Sequence, residues 1–210
     1  ALDVKPVESF DLIMNGDGAG RAGVKQLISE RKQADAGSGL GRLTVGAAGT
    51  AATIDEQAGN LHYGFKLAAA TTTGTGIAAS LAAGPPANVS FNVTGAVNVG
   101  DTVNVTLNLP DGSQQTLTLT ARNATVPGIA EETFVIGGSA AATAANISAS
   151  LTAALTRETQ SSLAGASAIV AAQDFFIGTA TNPPLRVPGP PFASATGAPA
   201  PGAAANTVIW

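Results

Sequence analysis

The sequence predicts an α+β fold, antiparallel β hairpins forming a sheet with two or three helices packed against it. Three observations carry this. Val103, Val105, Leu107 and Leu109 recur at every second residue, as do Leu117, Leu119 and Ala121, with Thr, Asn and Gln between them, so each run puts its apolar groups on one face. Between the runs stands Pro110-Asp111-Gly112-Ser113, a turn sequence that folds them into a hairpin with one wet face. After a third strand over 133–136 and Gly137-Gly138, Ser139 is placed to cap a helix whose Ile147, Leu151 and Leu155 share one stripe.

The other elements are read in chain order. Residues 6–14 suit either a helix turn or a brief strand. From Asp17, an N-cap residue, a helix runs to about Ala36, with Val24, Leu27, Ile28 and Arg31 on one face and Gly37 as its stop. Its polar side, Arg21, Lys25, Glu30, Lys32 and Gln33, reads as a solvated face. Strands follow over 42–45, 52–55 and 62–69, punctuated by Gly46, Gly49 and Gly59-Asn60. Residues 77–81 are a further short strand or extended chain, and 88–93 alternates through Val89, Phe91 and Val93. A second C-terminal helix spans 161–174 with Leu163, Ala166, Ile169 and Val170 on one side, either continuous with the first across Arg157 or kinked near Gly165. Seven prolines between 181 and 202 hold that stretch extended, and Val208-Ile209-Trp210 resumes a strand pattern.

Charge is unevenly spread: residues 1–66 carry 15 of the 24 charged residues. With the stiff Gly84-Pro85-Pro86 break, this divides the chain into a helix-plus-strands sub-domain over 1–84, a hairpin, strand and helix sub-domain over 87–180, and a proline-rich return segment with a terminal strand over 181–210. Aromatics make up 4% and charged residues 11%, so the core is built from Val, Ile, Leu and Ala, and the surface from Thr, Ser, Asn, Gln and Gly. Such a surface suits a protein outside the cell or packed beside its own copies. The net charge of −4 and the lack of a basic patch argue against nucleic acid as a partner. With no cysteine there are no disulfides, thiolate metal sites or thiol nucleophiles. The uncharged run over 67–100 is too broken by Thr, Gly and Pro to cross a membrane. The missing initiator Met is read as the mark of a piece cut from a longer protein.

Each chemical motif fails on context. Gly18-Ala19-Gly20-Arg21-Ala22-Gly23 matches a dinucleotide fingerprint, and Asp35 stands near where a ribose-binding acid is sought, but no buried strand precedes it and hairpins follow. Asp11, Asn15 and Asp17 lack the alternating carboxylates and closing Glu of a calcium loop. The carboxylate pairs Asp55-Glu56 and Glu131-Glu132 sit at strand ends, where acids are commonly solvated. His62, the only histidine, lies beside Tyr63 with no nucleophile elbow anywhere in the chain. No catalytic, cofactor-binding or metal-binding residue is assigned, and the chain is read as not an enzyme. The hydroxyl-rich runs 71–75 and 139–156 are candidate sites for attached glycans.

Several stretches then align in order with one family: 22–31 (AGVKQLISER), 33–35 (QAD), 39–44 (GLGRLT), 64–67 (GFKL), 100–102 (GDT), 109–112 (LPDG), 134–137 (FVIG), 143–147 (TAANI), 174–176 (DFF), 182–184 (NPP), 189–192 (GPPF) and 206–208 (NTV). In these the chain resembles the alphaproteobacterial flagellins and flagellar hook-associated proteins, within the large insertion between their terminal helices. The resemblance implies an outward-facing central domain, extracellular on the bacterial flagellum, with other flagellar subunits as partners and no catalytic residues to carry over. An insertion also keeps its ends together, which places residues 207–210 beside the N-terminal region. The rival from another class is a secreted adhesin or glycan-binding module, for which Phe175, Phe176 and Phe192 are the candidate stacking platform.

Overall fold

The computed structural model describes residues 5–16, 21–125, 131–179 and 181–202. The fold is α+β, two four-stranded sheets with helices packed on them. Two helices come first, α1 (Lys5–Asn15) and α2 (Val24–Ala36), so the ambiguous stretch at 6–14 is helical. The helix expected from Asp17 begins later. Asp17 itself lies outside the described residues, but residues 21–23 are not helical and Gly23 is extended at φ −84°, ψ 179°. A Cβ at Gly23 would stand 2.6 Å from the Ile13 carbonyl oxygen, so the chain runs too close to the end of α1 for any residue but glycine. At the other end Gly37 stops α2 as expected, at φ 58° with its N–H donating to the Gln33 carbonyl at 3.1 Å.

Eight strands follow: β1 (Leu43–Ala48), β2 (Ala51–Glu56), β3 (Lys66–Thr72), β4 (Ile77–Ala82), β5 (Asn88–Val93), β6 (Thr102–Asn108), β7 (Gln114–Arg122) and β8 (Thr133–Val135). They form one sheet in the order β1-β2-β5-β4 and another in the order β3-β6-β7-β8. The β6–β7 hairpin has the expected faces, with Val103, Val105, Leu107, Leu117, Leu119 and Ala121 all buried. β8 departs from the antiparallel expectation by running parallel to β7, with Thr120 opposite Thr133.

Two expectations are corrected. The strand read over 62–69 starts at Lys66, because Asn60 turns the chain before it: the Asn60 side chain accepts from Tyr63 N–H at 3.1 Å and donates to the Tyr63 carbonyl at 2.8 Å. The division at 84–86 does not separate two packing units. That break is the turn of the β4–β5 hairpin, β5 pairs backwards with β2, and β3 pairs forwards with β6. A single buried cluster runs from Leu43 to Ala166 through both sheets.

The sheets approach each other at β3 and β4, where the Thr72 hydroxyl donates to the Ile77 carbonyl at 2.9 Å. Between them packs α3 (Ala140–Glu158), in contact with β1, β2 and β5 of one sheet and β7 and β8 of the other. Ser139 caps it as expected, its hydroxyl accepting from Ala142 N–H at 3.1 Å, and Ile147, Leu151 and Leu155 are fully buried. A π-turn over Thr159–Leu163 joins α3 without a break to α4 (Ala164–Ile177). The return segment is mostly extended, with β9 (Leu185–Arg186) pairing antiparallel to β10 (Ala200–Pro201). The strand read at 208–210, and its expected place beside the N-terminus, lie outside the described residues.

One carboxylate links the sheets. Glu56, at the end of β2, accepts from Leu67 N–H of β3 at 2.8 Å and from Ala87 N–H, just before β5, at 3.3 Å. Leu67 is where β3 bulges against β6, and its outward N–H would otherwise be unpaired inside the fold. Replacing Glu56 by Gln keeps one acceptor but turns an NH2 group toward a backbone N–H. Denaturant unfolding of Glu56→Gln should show a loss of about 1–3 kcal/mol.

Candidate functional site

The densest set of buried polar side chains gathers where three irregular segments meet: 37–42 after α2, 57–65 before β3, and 187–197 of the return segment. Tyr63 is fully buried at the centre, its hydroxyl donating to the Gly197 carbonyl at 3.0 Å. Two guanidinium groups flank its ring, Arg31 at 5.2 Å and Arg42 at 5.7 Å from the centroid. Asp35 is buried between them, one oxygen accepting from Arg31 Nε at 2.6 Å and the other from Gly64 N–H at 2.8 Å.

Arg42 ties all three segments together. It donates to the carbonyls of Ala34 and Ala195 at 2.5 and 2.7 Å and to the Gln57 side chain at 3.0 Å. These bonds hold it at φ 67°, a left-handed conformation costly for a residue with a Cβ. Burial lowers the Arg42 pKa from its ordinary value, with Asp35 opposing, and burial raises that of the Tyr63 phenol, with Arg31 opposing. Gly64 is required here: at φ +74°, a Cβ would stand 2.3 Å from the Gly41 carbonyl oxygen. Beside the knot, Glu30 is buried and holds Arg186 in a two-pronged pair, Arg186 Nε donating at 2.8 Å and Nη2 donating to the second oxygen.

The chemistry of this arrangement is closed. Asp35 and Arg42 spend their hydrogen-bonding groups on the protein itself, so the geometry locks loops together. Sequence reasoning missed Glu30 and Arg42. It placed Glu30 on a solvated face, whereas the return segment covers it; a carboxylate three residues after apolar Leu27 carried no local sign of that cover. Asp35 is no ribose ligand but the knot's buried acid, and α1 stands before the glycine stretch where a nucleotide-binding fold needs a strand. Gly18, Ala19 and Gly20 lie outside the described residues.

The remaining candidates are scattered. His62 is exposed and edge-on to Tyr63; its carbonyl accepts from Arg31 Nη2 at 3.3 Å and its N–H donates to Asn60 Oδ1 at 3.4 Å. Asp55 accepts from the Asn88 side chain at 2.6 Å. Asp11 and Asn15 bond to each other at 2.5 Å, Lys25 joins Asn15 at 2.9 Å, and Asp17 is not described. Glu131 and Glu132 come together with Glu158 around Arg157, at 3.1, 3.4 and 3.2 Å, on one wall of a cleft of about 340 Å³ lined by Thr116, Thr118, Thr120 and Arg122. Among the described residues no group of three or more His, Cys, Asp or Glu is arranged to hold a metal ion, and no helix is long and apolar enough to cross a membrane. The chain matches no protein-family model, no curated protein and no solved structure.

Removing the guanidinium leaves the buried Glu30 carboxylate with the Gln26 amide, at 3.1 Å, but no cation, so Arg186→Ala should lower the unfolding free energy by about 3 kcal/mol. Asp174, which accepts from Leu185 N–H at 2.5 Å, behaves oppositely. Burial raises its pKa, the Leu185 bond and Arg31 opposing, so the folded chain holds this proton more tightly than the unfolded one. Its contribution to stability is therefore greatest at low pH and is lost as pH rises through the unfolded and then the folded pKa. Thermal melts should find Asp174→Asn more stable than the parent chain at pH 7, with the gap shrinking below about pH 4.

Proposed function

We propose that this chain is the outward-facing central domain of a flagellar structural protein, either a filament flagellin or the protein joining hook to filament. What supports the reading is that the stretches carrying the resemblance interlock in space. Gly137 of FVIG donates its N–H to the Thr143 hydroxyl of TAANI at 2.9 Å, and Asn146 of TAANI donates to the Val135 carbonyl at 2.8 Å. Phe65 of GFKL donates to the Gly41 carbonyl of GLGRLT at 3.0 Å, and Gly64 packs on the same oxygen. Stretches that meet only in the folded state form one framework, which is harder to reach by chance than the same words strung along a chain.

A second support is the tie between α2 and the return segment: Arg186 bonds Glu30, and Arg42 bonds both Ala34 and Ala195, which brings an early and a late part of the chain together as an inserted domain would. In this role the product is shape: a stiff, weakly charged knob on the outside of a polymer. The glycan-binding rival needs a cluster of exposed rings, and of Phe175, Phe176 and Phe192 only Phe176 is exposed. Immunogold labelling of the source bacterium with antibodies to this chain should decorate flagellar filaments or the junction at their base. Labelling confined to the cell wall or the medium, with bare flagella, overturns the proposal.

A further inference from the structure

The chain carries five Asn-x-Ser/Thr tripeptides, at Asn88, Asn92, Asn104, Asn123 and Asn146, none with proline in the middle. This is the sequence in which an asparagine amide accepts a sugar, and the fold sorts the five by whether a transferring enzyme can reach them. Asn88 and Asn92 lie in β5, paired on one side to β2 and on the other to β4, and Asn104 lies in β6 between β3 and β7. None of these can be drawn into an enzyme cleft without peeling a strand from both neighbours. Their side chains are engaged as well. Asn88 donates to Asp55 at 2.6 Å, Asn92 accepts from the Thr50 hydroxyl at 2.7 Å, and Asn104 accepts from the Thr118 hydroxyl at 2.8 Å. Asn146 stands in α3, where residues two apart point about 200° away from each other, so Ser148 faces away from the amide it would have to accompany. The Asn146 amide also donates to the Val135 carbonyl at 2.8 Å.

Asn123-Ala124-Thr125 differs on each count. It is the bend that follows β7, outside any strand or helix, and all three residues are exposed. Neither the Asn123 amide nor the Thr125 hydroxyl bonds to a described residue.

We propose that Asn123 is an acceptor for N-linked glycosylation, with a sugar activated as a diphosphate ester as the co-substrate. A bond forms between Asn123 Nδ2 and the anomeric carbon of the sugar. The anomeric C–O bond breaks, the diphosphate leaves with its electron pair, and the transferring enzyme takes one Nδ2 proton. An amide nitrogen is a poor nucleophile because its lone pair is shared with the carbonyl, so the enzyme has to turn the amide and hold it with the Thr125 hydroxyl alongside. An amide and a hydroxyl without other partners are free to be held so. The product fits the position too, since a glycan on an exposed bend displaces no packing and hydrates a surface on which charged residues are few. The inference stands apart from the flagellar reading, because it concerns which amide is modified and not what the chain assembles into.

Mass spectrometry of the chain isolated from its source bacterium tests it. Cleavage after Arg122 and Arg157 releases residues 123–157, which hold both Asn123 and Asn146, and electron-transfer fragmentation tells the two apart. The added sugar mass should sit on Asn123. A preassembled oligosaccharide there marks a lipid-linked donor, and a single hexose marks a nucleotide-linked one. Thr125→Ala should remove the modification completely and Thr125→Ser should keep it, while both variants, made without the glycan, melt with the unmodified parent chain. An unmodified Asn123 overturns the inference. So do sugars carried only by another of the five asparagines or by Ser and Thr hydroxyls, or a modification that persists in Thr125→Ala.

Discussion

The packing of α3 into the space between the two sheets is the contact on which the rest depends. Both sheets send buried side chains into one cluster, and they touch each other at β3 with β4 and β5 while α3 contacts β1, β2, β5, β7 and β8. Ile147, Leu151 and Leu155 fill that space, with Ala144 and Ala154 between them letting the helix axis come close to the strands. A core short of aromatics has to be built in this way. Phe65, Phe91 and Phe134 supply bulk at separate points, and the remaining volume is closed by bringing backbones together rather than by larger side chains.

Where packing cannot reach, single carboxyl groups make the joints. Glu56 joins the sheets, Asp35 joins α2 to the turn before β3, and Glu30 joins α2 to the return segment. All three carboxylates are buried, and each has a cation or backbone N–H groups aimed at its oxygens, the condition under which a buried charge is tolerated. Replacing such joints with apolar residues need not cost stability. What they supply is direction, because a two-pronged pair or a carboxylate on two N–H groups accepts one arrangement of loops and rejects neighbouring ones. For a domain whose proposed product is its shape, that selectivity is the relevant property.

The parts legible in sequence were those whose signal is local. The β6–β7 hairpin carries a period of two on each side of a proline, aspartate and glycine turn, and the Ser139 cap stands directly before the stripe it serves. Strand partners were not legible, because nothing in β3 marks it for β6 instead of β4. The apparent sub-domain boundary failed for that reason: a proline-rich turn breaks the chain but not the sheet. Tyr63, Phe65 and Leu67 mimic a strand by alternating, yet Tyr63 belongs to the knot and the bend at Gly64 comes between. At the site, Asp35 stood out as an acid near glycines, and its i, i+4 partner Arg31 was readable. Its bond to Gly64, twenty-nine residues on, was not.

The π-turn explains why α4 turns a different series of residues to the core from the one α3 does. Along α3 the buried series runs Ile147, Leu151, Ala154 and Glu158, and helical spacing would carry the same series on through Ser162, Gly165, Ile169, Ala172 and Phe176. The wide turn at Thr159–Leu163 inserts one residue, and one residue turns the following helix by about 100°. The series that was inward in α3 is thereby rotated outward in α4, and the neighbouring series through Leu163, Ala166 and Phe175 takes its place in the core. Ile169 was grouped with Leu163 and Ala166 at steps of three, and two such steps drift about 120° round the helix, which carries Ile169 out of the core. A single extra residue thus seats α4 against α2, with Phe175 in the cluster of Ile13, Val24 and Leu27 and Ala172 packed beside it, and leaves Ile169 and Phe176 toward solvent.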